Sequence, residues 1–187
     1  RYPMENFIGV WWSGSENDVL PAGDKATGYK ALAFHAVNSD FPVFDDIQKF
    51  VVDRGKAAGA GDNVGTVLYN RGMYNAMLIS EAAKTAQAIT GKSNISQLDM
   101  IKGFEGLEMT EEKMAALGLA GFGPSFKVSC ENHGGDGMVA VAQWDAGAGK
   151  WSIVSDYQAS DMSVLQPLID ADSGAFASEN NLSPNCD

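Results

Sequence analysis

Basic side chains are scarce in this sequence. Its 187 residues hold 13 Lys and Arg against 24 Asp and Glu, and the formal net charge is −11. A protein that binds DNA or RNA needs clustered Lys and Arg to displace the counterions of the phosphate backbone. No such cluster occurs along the chain. The composition therefore argues against nucleic acid as a partner.

Long apolar runs are also absent. An uncharged run near the middle, MAALGLAGFGPSF, carries Gly and Pro and is 13 residues long. A transmembrane helix needs about 20 apolar residues, so this run is too short and too broken to span a bilayer. With 45% apolar and 10% aromatic residues, the chain has the composition of a packed globular protein. We expect a folded chain outside the membrane.

The sequence opens on RYPMENF, without an initiator Met or a signal peptide, and runs almost at once into an apolar strand. This beginning predicts a piece of a longer chain.

Cysteine is limited to Cys130 and Cys186. A disulfide between them would stabilise the fold by about 4 kcal/mol through chain entropy and would imply an oxidising compartment. Two reduced, buried thiols are the alternative. The polar tail NNLSPNCD has little else to hold it, which favours the disulfide.

Familiar catalytic motifs are missing. There is no Walker loop, G-x-S-x-G elbow or H-E-x-x-H, and the glycines of GAGDNVG lack the dinucleotide-binding spacing. One stretch, CENHGGDG, clusters reactive side chains, namely Cys130, Glu131, His133 and Asp136. Cys130 and His133 could form half of a zinc site, or a thiol with its general base. A structural zinc site would need a second pair of soft ligands, for which the other candidates are His35 and Cys186. A tight loop with ordinary hydrogen bonds is the simpler interpretation.

Strand and helix patterns alternate along the chain. Strand patterns occur in NFIGVWW, YKALAFHA, VGTVLY, GMVAVAQW and KWSIVSDY. Helix patterns occur in FPVFDDIQKFVVDRGKAA, from Gly72 to Gly91, and after Ser96, Thr110 and Asp161, where Pro167 should interrupt the last helix. Alternation of this kind predicts an α/β fold with a mostly parallel sheet flanked by helices. Ligands bind such sheets beyond the carboxyl ends of the strands.

Trp11 and Trp12 raise a packing question. In a strand, neighbouring side chains point to opposite faces, so both indoles cannot enter one core. They lie at the end of the first strand pattern, before a polar loop. We therefore predict that one ring packs inward and the other faces a cleft.

Several segments together carry a family resemblance. They are FIGVWW, ATGYKALAFHA, FPVFDDIQKFVV, YNRGMYNAMLISEAAKTA and CENHGGDGMVAVAQWD. Across essentially the whole chain, the sequence resembles the C-terminal half of a periplasmic solute-binding protein of the branched-chain amino acid type, which serves an ABC transporter. The resemblance implies parts of two α/β lobes of a type I periplasmic binding fold. Residues 38–138 would belong to the first lobe, and residues 1–37 and 139–187 to the second.

The resemblance also implies a ligand site between the lobes. In the family, an acidic residue at the end of the first strand often lines the ligand cleft, and the nearest residue here is Trp11. The family also has an aromatic residue in the cleft ahead of the following helix, and it matches Tyr69. The rings of Trp11 and Tyr69 would then face each other. Because an aromatic residue stands where the family has an acid, aromatic carboxylates become plausible ligands in addition to amino acid-like solutes. Trp12 and Arg71 complete the predicted ligand-binding set, with Arg71 facing a carboxylate. Tyr69 as a core residue and Arg71 as a surface residue are the alternatives.

The resemblance predicts a binding protein without turnover, partnered by transporter permease subunits in the periplasm. No cofactor or metal is implied. A sensory ligand-binding domain of the same fold and a thiol hydrolase using Cys130 and His133 are the alternatives. Because the upstream halves of both lobes would be missing, we expect these residues to need the missing half or a second copy for stability, and to bind no solute alone.

Overall fold

The structure of the chain is a computed structural model that describes residues 2–59, 61–183 and 186. The α-helices, in chain order, are α1 (Glu16–Val19), α2 (Pro42–Ile47), α3 (Val67–Thr90), α4 (Gln97–Glu105), α5 (Glu111–Ala116) and α6 (Met162–Glu179). Short 3₁₀ turns lie at Met4–Asn6, Trp11–Ser13, Leu20–Ala26 and Gly61–Asn63, and a π turn at Gln48–Val52 extends α2. None of the helices in the described residues is long and apolar enough to cross a bilayer.

The strands form two sheets. They are β1 (Ile8–Gly9), β2 (Lys30–Ala33), β3 (Glu108–Met109), β4 (Phe126–Lys127), β5 (Ala140–Asp145) and β6 (Lys150–Ile153). The larger sheet has the order β1-β2-β5-β6, and β3 pairs with β4 in a separate sheet. The fold class, α/β with flanking helices, is therefore as predicted.

Strand direction differs from the sequence prediction. In the larger sheet only β1 and β2 are parallel, whereas β5 runs antiparallel to both β2 and β6. The short connection between β5 and β6 allows only an antiparallel hairpin, because a parallel pair needs a long crossover. Among the described strands, the prediction of a mostly parallel sheet is wrong.

Local hydrogen bonds explain where several helices begin and end. Ser96 caps α4 in a capping box with Asp99, and the Thr110 side chain accepts the backbone N–H of Lys113 at the start of α5. Gly91 ends α3 in the left-handed conformation, with φ of 68°. These boundaries agree with the sequence prediction.

The start of α3 does not agree. The predicted strand VGTVLY, residues 64–69, instead contains the first turn of α3, which begins at Val67. The carboxylate of Glu16 lies 3.2 and 3.3 Å from the Val67 backbone nitrogen and accepts its N–H. An acid from a distant segment therefore satisfies a free donor at the helix start. The apolar run VGTVLY does not itself reveal that a distant acid will accept an N–H at this helix start, so the sequence pattern alone did not indicate a helix here.

Two buried apolar clusters form the core. The first packs the larger sheet and includes Ala31, Val67, Trp144 and Trp151, and the second centres on Phe122. Residues of the second cluster include Phe44, Tyr74, Ala82, Leu107, Met109, Met114 and Leu119. The division into lobe portions 1–37 with 139–187 and 38–138 stays a prediction.

Helices α3 and α4 pack closely at one glycine. A Cβ added to Gly103 would overlap the carbonyl oxygen of Ala82 and lie 2.8 Å from the Cβ of Ala86. Ala82 and Ala86 are fully buried. Small residues on both helices therefore let the two backbones approach.

Helix α6 lies on the surface. It begins at the cap residue Asp161, whose side chain accepts the N–H of Ser163, and none of its residues is buried. The helix continues through Pro167, so the predicted interruption is wrong. Beyond it, Cys186 forms a disulfide with Cys130, as predicted.

Candidate functional site

The two adjacent tryptophans lie just beyond the edge strand β1. They belong to the 3₁₀ turn Trp11–Ser13, so their side chains are about 120° apart around the axis rather than on opposite faces. Their rings meet edge to face at 5.0 Å. Trp11 is 36% exposed and Trp12 is 73% exposed. The prediction that one ring enters the core is therefore wrong, although Trp11 is the more covered of the two.

Arg71 connects α3 to this turn. Its guanidinium carbon lies 4.7 Å from the Trp11 ring centre and 5.5 Å from that of Phe34. Its Nη2 donates to the Trp11 carbonyl oxygen at 3.0 Å. Trp11 and Phe34 also meet edge to face at 5.6 Å. The cation is thus held against two aromatic rings, an arrangement that the sign of the ring quadrupole favours.

The donors of Arg71 are only partly used. Its Nε is buried and has no hydrogen-bond partner among the described residues. Burial lowers the pKa of Arg71, and the nearby Asp18 carboxylate opposes this shift. An arginine remains protonated in proteins, so the group stays a cation that attracts a carboxylate. Its buried Nε is not accessible to a solute in this arrangement, and Nη2 already donates to Trp11.

Tyr69 takes a different position from the one predicted. It is half-buried in the first turn of α3 and packs against the cluster around Phe122. Among the described residues, no ring contact joins Tyr69 to Trp11. The structure therefore brings Trp11, Trp12 and Arg71 together, whereas the half-buried Tyr69 packs against the cluster around Phe122. A ligand-binding role for any of the four stays a prediction.

The residue that follows Phe34, His35, is packed in the core. His35 is fully buried, stacks on Phe122 with ring centres 5.6 Å apart, and has its Nδ1 2.8 Å from the Ala36 carbonyl oxygen. Burial is the main cause that lowers the pKa of His35 to about 4. Burial therefore favours the neutral imidazole, which packs on Phe122 and hydrogen-bonds with the Ala36 carbonyl.

Asn70 ties α3 to the chain that follows β2. Its Nδ2 donates to the carbonyl oxygens of Ala36 at 3.1 Å and Asn38 at 2.8 Å. The side chain is fully buried. Segment 36–38 is therefore fixed to the same helix that carries Arg71.

A polar cavity of about 760 Å³ lies beside the start of α3. Its wall includes Glu16, Asn38, Asp40, Thr66 and Lys150. Because the Glu16 carboxylate already occupies the positive end of the α3 dipole, an anionic group receives no free helix terminus there. The cavity wall carries both acidic side chains, Glu16 and Asp40, and the basic side chain of Lys150.

Two members of this region were missed by sequence reasoning. Phe34 was assigned only to the strand pattern YKALAFHA, and Glu16 lay in a loop between strands. A helix-start signal was present, since Ser15 and Asp18 form the capping box of α1. Nothing local signals that Phe34 stacks on Arg71 or that Glu16 reaches α3.

The thiol-hydrolase alternative needs a thiolate at Cys130. Both cysteines of the chain are joined in one disulfide. The oxidised chain therefore offers no thiol nucleophile.

Comparison with known proteins identifies similar solved structures. No protein-family model and no curated protein matches the sequence. A crystal structure of an ABC transporter permease from the Pseudomonas fluorescens group matches with 36% identity and a TM-score of 0.90, over 98% of this chain and 44% of that chain. A branched-chain amino acid ABC transporter from Thermus thermophilus with bound valine matches with 19% identity and a TM-score of 0.60, over 83% of this chain and 39% of that one.

These similarities bear out the fold expectation. The mixed sheet with flanking helices matches the type I periplasmic-binding-protein-like fold. Both similar structures are ABC transporter proteins. The chain spans less than half the length of either one.

Proposed function

We propose that this chain is part of an extracytoplasmic solute-binding component of an ABC uptake transporter, which captures a small amino acid-like or aromatic carboxylate solute between two lobes without chemical turnover. The observation that carries the proposal is the similarity to an ABC transporter protein at 36% identity over 98% of the chain. Valine bound to the second similar structure supports a small amino acid-like solute. Permease subunits of the transporter are the proposed partners.

Arg71 and the adjacent indoles supply the chemistry that such a solute needs. The positive charge of Arg71 suits a carboxylate, and the largely exposed ring of Trp12, which contacts Trp11, offers an apolar face near it. An indole buries up to about 200 Å², so one stacked ring contributes several kcal/mol to a small ligand's gross affinity. The solute class follows from this pairing of a cation with aromatic surface.

The disulfide fits the proposed location. Structural disulfides persist in oxidising compartments such as the bacterial periplasm. The Cys130–Cys186 bond therefore supports an extracytoplasmic place for the protein.

Calorimetry on the complete gene product tests the proposal. Amino acids and aromatic carboxylates form the panel, and the matching amides and amines, which lack the carboxylate, serve as ligand controls. We expect micromolar or tighter binding of at least one carboxylate and none of its amide. Absence of binding across both sets of ligands would overturn the proposed function.

Matched variants locate the binding site. Arg71→Gln should weaken carboxylate binding by roughly ten- to a hundredfold, since a charged hydrogen bond is lost. Trp11→Ala should weaken it by about 1 to 3 kcal/mol while the fold is retained. Arg54→Gln is the control, because Arg54 also lies over an aromatic ring, that of Phe50, at 5.0 Å. Normal binding by the first two variants would remove Arg71 and Trp11 from the site.

A further inference from the structure

We propose that reduction of the Cys130–Cys186 disulfide creates a zinc site in which Glu105, Cys130 and His133 bind the ion and Cys186 supplies the fourth ligand. None of these ligands is among the residues described as contacting Arg71, and the zinc site does not depend on the proposed solute binding. Its ligands come from the end of α4, from the loop after β4, and from the chain beyond α6.

The three central ligands are already grouped. One ligand atom from each of Glu105, Cys130 and His133 lies within 4.8 Å of the other two. The Nε2 of His133 is 3.2 Å from Oε1 of Glu105. Neighbouring ligand atoms around tetrahedral zinc are roughly 3.3 to 3.8 Å apart, given Zn–N and Zn–O near 2.0 Å and Zn–S near 2.3 Å. Shifts of about 1 Å therefore suffice to enclose the ion.

Hydrogen bonds that do not involve the disulfide shape the ligand loop. The backbone N–H groups of Ser129 and Asn132 donate to each other's carbonyl oxygens at 3.1 and 3.2 Å. The Asn132 side chain donates to the Gly135 carbonyl oxygen at 3.0 Å. Because Cys130 and His133 lie within and beside this turn, their spacing should survive when the sulfur–sulfur bond is broken.

One side of the site is apolar. Glu105 and His133 border a cavity of about 300 Å³ whose other walls include Leu78, Ile101 and Phe104. The Glu105 side chain is only 26% exposed. Partial exclusion of water strengthens the attraction between a divalent cation and its anionic ligands. The His133 side chain, at 69% exposed, leaves a path for the ion to enter.

The chemistry balances with a dithiol as reductant. Two electrons and two protons from the dithiol convert the disulfide to two thiols, while the dithiol becomes a disulfide. Zinc then replaces the proton on each thiol, so binding releases two protons. Two thiolates, one imidazole and one carboxylate make a tetrahedral donor set suited to zinc. The oxidised chain holds neither thiolate and should not form the site.

Zinc titration of the oxidised and the reduced protein tests this proposal. The protein is reduced with a dithiol, exchanged into degassed buffer without reductant, and titrated with Zn²⁺ against a chromophoric chelator. We expect one tightly bound ion and two released protons in the reduced form, and affinity at least a hundredfold weaker in the oxidised form. Co²⁺ in place of Zn²⁺ should give a sulfur-to-metal charge-transfer band and a tetrahedral spectrum.

Variants separate a built site from thiols that bind metal unspecifically. His133→Ala and Glu105→Gln should each weaken Zn²⁺ binding by tenfold or more, whereas the neighbouring acid control, Glu131→Gln, should not. Circular dichroism checks that each reduced chain is folded. Cys186→Ser provides a second test, since its three remaining ligands should still give a Co²⁺ spectrum that depends on His133.

Two results would overturn the zinc site. One is equal Zn²⁺ affinity in the oxidised and reduced forms. The other is reduced protein, folded or unfolded, whose affinity is the same in His133→Ala and Glu105→Gln as in the parent chain.

Discussion

Helices α3 and α6 are both long, and they differ in what covers them. Along α3, six residues are buried, among them Tyr74, Ala82 and Ala86, and α4 packs against it at Gly103. Along α6 none is buried, and the apolar side chains Val164, Leu165, Leu168, Ile169 and Phe176 are exposed. Each helix begins at a residue with extended backbone, Thr66 or Asp161.

The difference shows that helix formation and helix packing have separate causes. Apolar spacing favours a helix in both segments. The start of α6 is capped locally by Asp161, whereas at the start of α3 the Thr66 side chain makes no capping hydrogen bond and the distant Glu16 accepts the N–H of Val67. Packing needs a complementary surface, which α4 provides for α3. Since most helical stability in proteins comes from such packing, the two helices should respond very differently to similar changes.

Among these changes, opening the disulfide should have the largest effect on the free energy of unfolding. It joins the chain end beyond α6 to the loop at Cys130, across a sequence separation of 56 residues. Reduction in metal-free buffer should lower the free energy of unfolding by about 4 kcal/mol, because the unfolded chain regains loop entropy. Urea unfolding before and after reduction measures this loss.

Intact mass provides the control for that experiment. Reduction should add about 2 Da, the two hydrogens taken up when one disulfide opens. Hydrogen exchange should then show α3 still protected and α6 exchanging rapidly. A mass that does not change would mean that the cysteines are not bonded.

Filling the contact between α3 and α4 comes next. Gly103→Ala should lower the free energy of unfolding by about 3 kcal/mol, since the new methyl overlaps a backbone oxygen of α3 and the helices must move apart. Thermal or urea unfolding measures the change. A substitution that leaves stability unaltered would show that α4 does not press against α3 as described.

The packed region around α3 should also depend on pH. His35 lies against Tyr74 of α3, and burial is the main cause that lowers its pKa to about 4. An unfolded histidine has a pKa near 6.5, so between these values the unfolded state binds more protons than the native state. This contribution is complete above pH 6.5 and decreases as the pH falls toward 4. From pH 7 to pH 4.5 we expect a loss of about 2 kcal/mol.

The parent chain and His35→Leu, compared by urea unfolding at several pH values, measure this effect. The variant is less stable at pH 7 because the Ala36 carbonyl loses a partner, but its stability should change less between pH 7 and 4.5. Equal slopes would remove His35 as the source. Asp99, whose pKa is lowered to about 2 chiefly by hydrogen bonding to Ser96, stabilises the fold above pH 3.8 and loses that contribution only as the pH falls from there toward 2, below this window.

The smallest effect should come from α6. Among the described residues, and apart from the adjacent backbone of its own helix, no atom lies within 4 Å of a Cβ added to Gly174 in the interior of α6. Gly174→Ala should therefore raise the free energy of unfolding by up to about 1 kcal/mol, by lowering the entropy of the unfolded chain. The sign is opposite to that of Gly103→Ala. Destabilisation by Gly174→Ala would show that α6 is packed against something.

Local interactions made part of the fold predictable. The starts of α4, α5 and α6 follow from Ser96, Thr110 and Asp161, whose side chains bond amides two or three residues onward. The Cys130–Cys186 disulfide was predictable because the chain offers no other pair. The α/β class followed from alternating patterns, and the type I fold from the resemblance.

Long-range interactions made the rest unpredictable. The direction of β5 depends on its pairing with β2, far away in sequence. The Arg71 bond to the Trp11 carbonyl joins residues 60 positions apart, and the Glu16 bond to Val67 spans 51. Hydrophobic periodicity contains no information about either pair. Trp11, Trp12 and Arg71 were singled out individually, whereas their mutual geometry required the structure.

The two hydrogen bonds of Asn70 have a mechanical consequence. They bind the carbonyls of Ala36 and Asn38 to α3, so the chain that follows β2 cannot move unless the start of α3 moves with it. Because Arg71 follows Asn70 in the same helical turn, a shift of the chain after β2 would move Arg71 with it.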